Sequence, residues 1–245
     1  MRILVFQHLA VEHAGIFRDF WKADGHEWDV VELDAGDTIP PLEPYDLLVV
    51  MGGPQDVWQE DIYPWFVPEK AAIRRWVLEL DRPYLGICLG HQLLAEALDG
   101  KVTLMAAPEV GMADVAFTAE GKADPLLAGL GEGMTTFQWH GAGISKLPDG
   151  AVVLAANAAC DTQAIRYGKY AYGLQYHVEI TPTTVADWEA VPEYKASLET
   201  ALGLEEAAKL EATVAAKLGD FGAAARALYD NFSAILAAHG RRKVA

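Results

Sequence analysis

Cysteine is scarce: Cys88 and Cys160 are the only two in 245 residues, too few for a disulfide framework and suited to a reducing compartment. Positive charge is short as well. Nineteen Lys and Arg face 35 Asp and Glu, a net charge of −16 that argues against nucleic acid or an anionic membrane surface as the main partner. Only Arg241, Arg242 and Lys243 are locally basic, and they read as a solvated tail. No apolar run approaches the ~20 residues of a membrane span, and the apolar stretch 3–6 is too short for a signal peptide. A cytoplasmic protein with no membrane partner is the expectation. Three Gly-Lys pairs (Gly100-Lys101, Gly121-Lys122, Gly168-Lys169) are each followed by the wrong residue for a phosphate loop. Neither His-Glu-x-x-His nor Cys-x-x-Cys occurs, so no metal and no cofactor are expected.

What remains is a chain 52% hydrophobic and long enough for one large α/β domain or two small ones. Residues 2–6, apolar from Ile3 onward, and the unbroken apolar stretch 47–51 are runs of the kind buried on both faces of a parallel sheet, and 28–33 alternate like a strand. Between them Ile16, Phe17, Phe20 and Trp21 recur at one-face helical spacing, closed by Gly25. A helix over 68–80, a strand over 83–87 and a helix over 89–98 follow. Strand and helix in alternation predict an α/β fold with a doubly wound, mostly parallel sheet. From 101 to 176 short strand-like runs dominate: 113–117, 135–139, 151–155, 163–166 and 172–176. After Pro182 the pattern is helical, with Leu228, Phe232, Ile235 and Leu236 on one face of a closing helix.

The chemistry concentrates in Gly86-Ile87-Cys88-Leu89-Gly90-His91. A buried strand runs into a helix with Cys at the apex and glycine on either side, the logic of a nucleophile elbow. The turn is too tight for neighbouring β-carbons, and a sulfur at a helix N-terminus gains from the backbone dipole. A buried structural thiol is the competing reading. An attacking thiolate needs an acid for the leaving amine and a group to orient that acid. His177, after the run Gly173-Leu174-Gln175-Tyr176, with Glu179 two residues on, fits both roles. The oxyanion would be met by the backbone N–H of Leu89 and by that of Gly53, in Met51-Gly52-Gly53-Pro54 at the end of a neighbouring strand. His8 and His13 follow the first strand. Packing is their default, with His8 also placed to line the strand-end crevice. Trp58, Trp65, Trp76 and Trp139 read as packing residues.

Taken in order, Gly52-Gly53-Pro54, Gly86-Ile87-Cys88-Leu89-Gly90-His91-Gln92 and Gly173-Leu174-Gln175-Tyr176-His177-x-Glu179 resemble the class I glutamine amidotransferases over residues 45–180. Val57, Glu60-Asp61 and Tyr63-Pro64-Trp65 look like the stand-alone, GMP-synthase-like branch, and Phe137-Gln138-Trp139-His140-Gly141 like its second substrate-binding segment. The resemblance implies a flavodoxin-like amidotransferase domain over 1–182 and a helical extension over 183–245 packed on it. It implies Cys88 as nucleophile, His177 as acid and base, and Glu179 as orienter. It further implies Gln92, Trp139, His140 and Gly141 around a small-molecule γ-glutamyl substrate. Two residues depart from the family. Val178 stands where Pro is usual, and a β-branched residue holds extended geometry nearly as well. Ala142 stands where the branch often has Asp, which bears on substrate identity.

The 66 residues after Glu179 are too few for an ATP-using synthetase, so this chain alone is not expected to make GMP. Four readings stay open. The chain is a glutaminase feeding a separate synthetase chain, a free-standing γ-glutamyl hydrolase, a thiol hydrolase of another ester or amide, or a regulatory binding protein on the same fold.

Overall fold

In the computed structural model, which describes residues 1–244, the unbroken apolar runs become the inner strands of one nine-stranded sheet. The side chains of Arg241, Arg242 and Lys243 lie outside the described residues. The chain runs β1 (Arg2–Gln7), α1 (Phe17–Ala23), β2 (Glu27–Glu32), β3 (Leu47–Val50), α2 (Phe66–Arg74), β4 (Tyr84–Ile87) and α3 (Leu89–Ala97). Then come β5 (Lys101–Phe117), α4 (Ala119–Ala123), β6 (Gly133–Lys146), β7 (Ala151–Ala156), β8 (Ala164–Tyr167) and β9 (Ala171–Leu174). Four helices close it: α5 (Thr184–Glu189), α6 (Pro192–Ala207), α7 (Leu210–Ala215) and α8 (Leu218–Val244).

The strand order is β2-β1-β3-β4-β9-β8-β7-β5-β6. The pairings among β2, β1, β3, β4 and β9 are all parallel, and those from β9 onward are antiparallel. Successive residues of a strand face opposite ways. Ile3, Val5 and Val49 therefore enter the core shared with α1 and α8, while Leu4, Phe6 and Val50 enter the one shared with α2 and α3. Each such fully buried side chain contributes about 1.5–3 kcal/mol. The connection order reverses at β1, which sits between β2 and β3, and such a switch leaves a crevice at the carboxyl ends of the strands.

Two stretches differ from the sequence pattern. β5 is 17 residues long where only 113–117 read as strand, because Pro108 and Gly111 (φ +102°) interrupt the alternation. Its ladder with β6 slips between Leu104 and Glu109 and then resumes. β9 ends at Leu174, so His177 lies beyond it, held by an antiparallel bridge to Phe137 of β6. The closing helices share the core: Trp188, Tyr194, Leu198 and Phe221 pack with Phe137 and Trp139. Leu228, Phe232 and Ile235 are buried under the parallel strands. No helix among the described residues is long and apolar enough to cross a membrane.

Candidate active site

Cys88 joins β4 to α3 with φ +51° and ψ −103°, a conformation that strains any residue with a β-carbon by about 1–3 kcal/mol. Its neighbours explain the glycines. A β-carbon on Gly90 would stand 2.0 Å from the Val50 carbonyl oxygen, and one on Gly86 would stand 2.5 Å from the Gly90 carbonyl. The turn is pinned from both sides, since Cys88 N–H donates to Leu174 O (2.8 Å) and Gly90 N–H to Met51 O (3.1 Å).

His177 and Glu179 come to this turn on the segment after β9. His177 Nδ1 lies 2.6 Å from Glu179 Oε1, and Glu179 Oε2 accepts from Val178 N–H at 2.9 Å. The other face of the imidazole meets the Trp188 ring edge-on at 4.8 Å. The Glu179 backbone is clamped too: its carbonyl accepts from Ile16 N–H (2.8 Å), and a β-carbon on Gly15 (φ +47°) would fall 1.8 Å from that oxygen. Burial opposes a charge on His177, but the Glu179 carboxylate and a hydrogen bond with the Cys88 sulfur outweigh it and hold its pKa well above the usual value.

The sulfur lies 3.9 Å from the Trp139 carbonyl oxygen and accepts from Gln175 Nε2 at 3.7 Å. It opens into a pocket of about 130 Å³ that Gly53, Leu89, Gln92, Trp139, His140 and Gly141 also line. Thus the six residues expected at the oxyanion and substrate positions share one pocket with Cys88, and His177 and Glu179 lie buried behind it.

The class I glutamine amidotransferase family model matches residues 16–187, well over half of the chain. This chain belongs to the class I glutamine amidotransferases. Hydrolysis of the glutamine amide is the activity general to that family. A glutamine amidotransferase-like protein of Salmonella typhimurium, YfeJ, is 34% identical over 190 residues, covering 76% of this chain and 78% of that one. A subunit of the glutamine-hydrolyzing GMP synthase from Halobacterium salinarum is 32% identical over 178 residues, 71% of this chain and 90% of that one. Among solved structures, a glutamine amidotransferase of Thermotoga maritima superposes with a TM-score of 0.82 at 28% identity, covering 95% of this chain and 97% of that one.

In this amidotransferase the two departures acquire a physical meaning. Val178 N–H donates to Glu179, a bond that a proline there could not make. Ala142 is buried, and its carbonyl accepts from both Gln92 Nε2 (3.1 Å) and His140 Nδ1 (2.9 Å). Gln92 Nε2 donates as well to Gln175 Oε1 (3.1 Å), so its amide nitrogen is committed to the protein. His140 is likewise committed through Nε2 to Glu109 (3.2 Å). Burial opposes the charge on Glu109, but bonds from His140, Asn157 and Gln163 prevail and hold its carboxyl below the usual range.

Several participants had no signal in the sequence. Tyr194 and Ser197 of α6 form one wall of the pocket, and Ser197 Oγ accepts the Trp139 indole N–H at 2.8 Å. Glu12 is buried and accepts from the Tyr194 hydroxyl; burial raises its pKa, with the nearby His177 pulling the other way. His8 does not line the crevice. It is fully buried behind it, between Gly52 and Glu69. Trp58 is 43% exposed and so is not the packing residue expected, whereas Trp76 is fully buried. Cys160 is buried, which raises its thiol pKa and keeps it unreactive.

Proposed function

We propose that this amidotransferase hydrolyses a γ-glutamyl amide through a glutamyl thioester on Cys88. The Cys88 sulfur attacks the side-chain carbonyl carbon, and the carbonyl electron pair moves onto oxygen. That oxyanion is met by the backbone N–H groups of Gly53 and Leu89. His177, oriented by Glu179, gives its proton to the departing amine as the C–N bond breaks, leaving the thioester. The same imidazole then takes a proton from water, whose oxygen attacks the thioester. Collapse releases glutamate, and the proton returns to sulfur. The observation that carries this reading is the 2.6 Å contact between His177 Nδ1 and Glu179, with Cys88 at the strained apex of a turn that lines the pocket.

Glutamine itself is the first substrate to test, with γ-glutamyl peptides beside it, because the pocket holds no assigned partner for the leaving group. A subunit role is the second reading. The relative from Halobacterium salinarum is named as one subunit of a GMP synthase, which favours delivery of ammonia to a separate synthetase chain. The two free thiols fit a cytoplasmic setting, and residues 1–182 with the extension 183–245 remain the division we propose. The deciding measurement is glutamate release from glutamine and the peptide panel, with Cys88→Ala alongside. Release by the lone chain that disappears in Cys88→Ala supports a free-standing hydrolase. Release by Cys88→Ala would overturn the thioester.

A further inference from the structure

The oxyanion donor assigned above to Gly53 follows Gly52, and neither glycine has a side chain to anchor the peptide between them. Its support comes from β1. Because β1 and β3 are parallel neighbours, their carboxyl ends lie side by side, and His8 follows β1 as Gly52 follows β3. His8 Nδ1 lies 3.0 Å from Gly52 O. A carbonyl oxygen only accepts, so Nδ1 carries the proton. The other ring nitrogen, Nε2, lies 2.9 Å from Glu69 Oε1 of α2, and both side chains are fully buried. Gln55 closes the loop from its far side, donating through Nε2 to His8 O at 3.1 Å. The packing leaves no slack, since a β-carbon on Gly53 would meet His8 Cβ at 2.9 Å.

The carbonyl of Gly52 and the N–H of Gly53 belong to one rigid, trans peptide plane and point in opposite directions. Whatever fixes the oxygen therefore aims the N–H. A donor on the oxygen also withdraws electron density along the amide and makes the N–H a stronger donor. Burial disfavours a charged His8, but Glu69 on one side and the Gly52 carbonyl on the other outweigh it and raise its pKa.

We propose that His8, held by Glu69, is the positioning residue of the oxyanion hole: its Nδ1–H fixes and polarises the Gly52–Gly53 peptide so that the Gly53 N–H faces the developing oxyanion. The proposal rests on the thioester reading above. Loss of one oxyanion donor lowers kcat by about 10²–10³-fold, and a misaimed donor approaches that loss.

The test compares His8→Leu, which removes the donor, with His8→Asn, whose amide nitrogen can stand where Nδ1 stands. Each is assayed for kcat and KM on the best substrate of the panel and for affinity toward the γ-aldehyde of glutamate, which forms a tetrahedral thiohemiacetal with Cys88. Alkylation of Cys88 by iodoacetamide, a reaction that uses no oxyanion hole, is followed in parallel. We expect His8→Leu to lower kcat and aldehyde affinity together by about 10²-fold, with KM and alkylation rate within about threefold of wild type. His8→Asn should recover most of both losses. If His8→Leu does not fold, His8→Asn against His8→Asp, which has no proton to donate, carries the same comparison. Equal kcat and aldehyde affinity in donor and non-donor variants would overturn the proposal, as would a loss confined to KM or shared by alkylation. Wild-type protein that neither releases glutamate nor binds the aldehyde would instead overturn the thioester reading, and this proposal with it.

Discussion

Replacing Glu179 by glutamine removes one charge and one acceptor while keeping the shape. The carboxylate accepts two buried bonds, from His177 Nδ1–H at 2.6 Å and from Val178 N–H at 2.9 Å, one on each oxygen. An amide has one oxygen. If it faces His177, the NH₂ confronts Val178 N–H and leaves a buried backbone donor unpaired, at about 1–3 kcal/mol. If it faces Val178, the NH₂ donates to Nδ1 and drives the imidazole proton to Nε2, where the base toward sulfur is lost. Both arrangements also remove the carboxylate that holds the His177 pKa up against burial. For Glu179→Gln we expect kcat/KM to fall by about 10³–10⁴-fold, the scale set by placing a triad imidazole in the wrong tautomer. The melting temperature should fall by about 2–12 °C, at 2–4 °C per kcal/mol for a chain of this size. Glutamate release and thermal melts on the same preparation measure both. A folded Glu179→Gln protein within tenfold of wild-type kcat/KM would refute this account of the pair.

Two further predictions test the scaffold. Cys88→Gly should be more stable than Cys88→Ala by about 1 kcal/mol, because relief at φ +51° exceeds the entropy that glycine adds to the unfolded chain; both should be inactive, and urea titrations giving the reverse order would deny the strain. His91 is fully buried, and burial depresses its pKa from 6.5 to about 3. The unfolded chain then binds a proton that the folded one does not. Stability is lost as pH falls from about 6.5 toward 3, at about 1.4 kcal/mol per unit, and the loss levels off below that window. Denaturation of wild type and His91→Gln across pH 3–7 should show this difference in slope, and parallel curves would exclude it.

The parts of the fold and site that were legible in the sequence are those whose cause is local. Gly86, Cys88 and Gly90 announce a tight strand-to-helix turn because the contacts that forbid a β-carbon arise within that turn and its neighbouring strand. His177 and Glu179 are two residues apart, so their pairing needs no knowledge of the rest of the chain. Long-range partners leave no such mark. Tyr194 meets Glu12 across 182 positions, and His8 meets Glu69 across 61, with nothing in either segment pointing to the other. The first half of β5 was hidden for a different reason: Pro108 and Gly111 break the alternation, and the ladder with β6 re-forms around them after a slip. Trp58 shows the opposite limit, since residue type alone suggests burial and the fold leaves it exposed.

The wall that Tyr194 and Ser197 lend to the pocket also sets a timetable. During synthesis, residue 88 leaves the ribosome well before residue 197 does, and at about 5–20 residues per second the interval is roughly 5–20 s. Through that interval the elbow thiol lacks the side of the pocket that α6 supplies and the Ser197 hydroxyl that takes the Trp139 indole. The pocket is completed only when the late helices settle onto β6, so the surroundings of Cys88 take their final shape as a last step of maturation and not when the elbow forms.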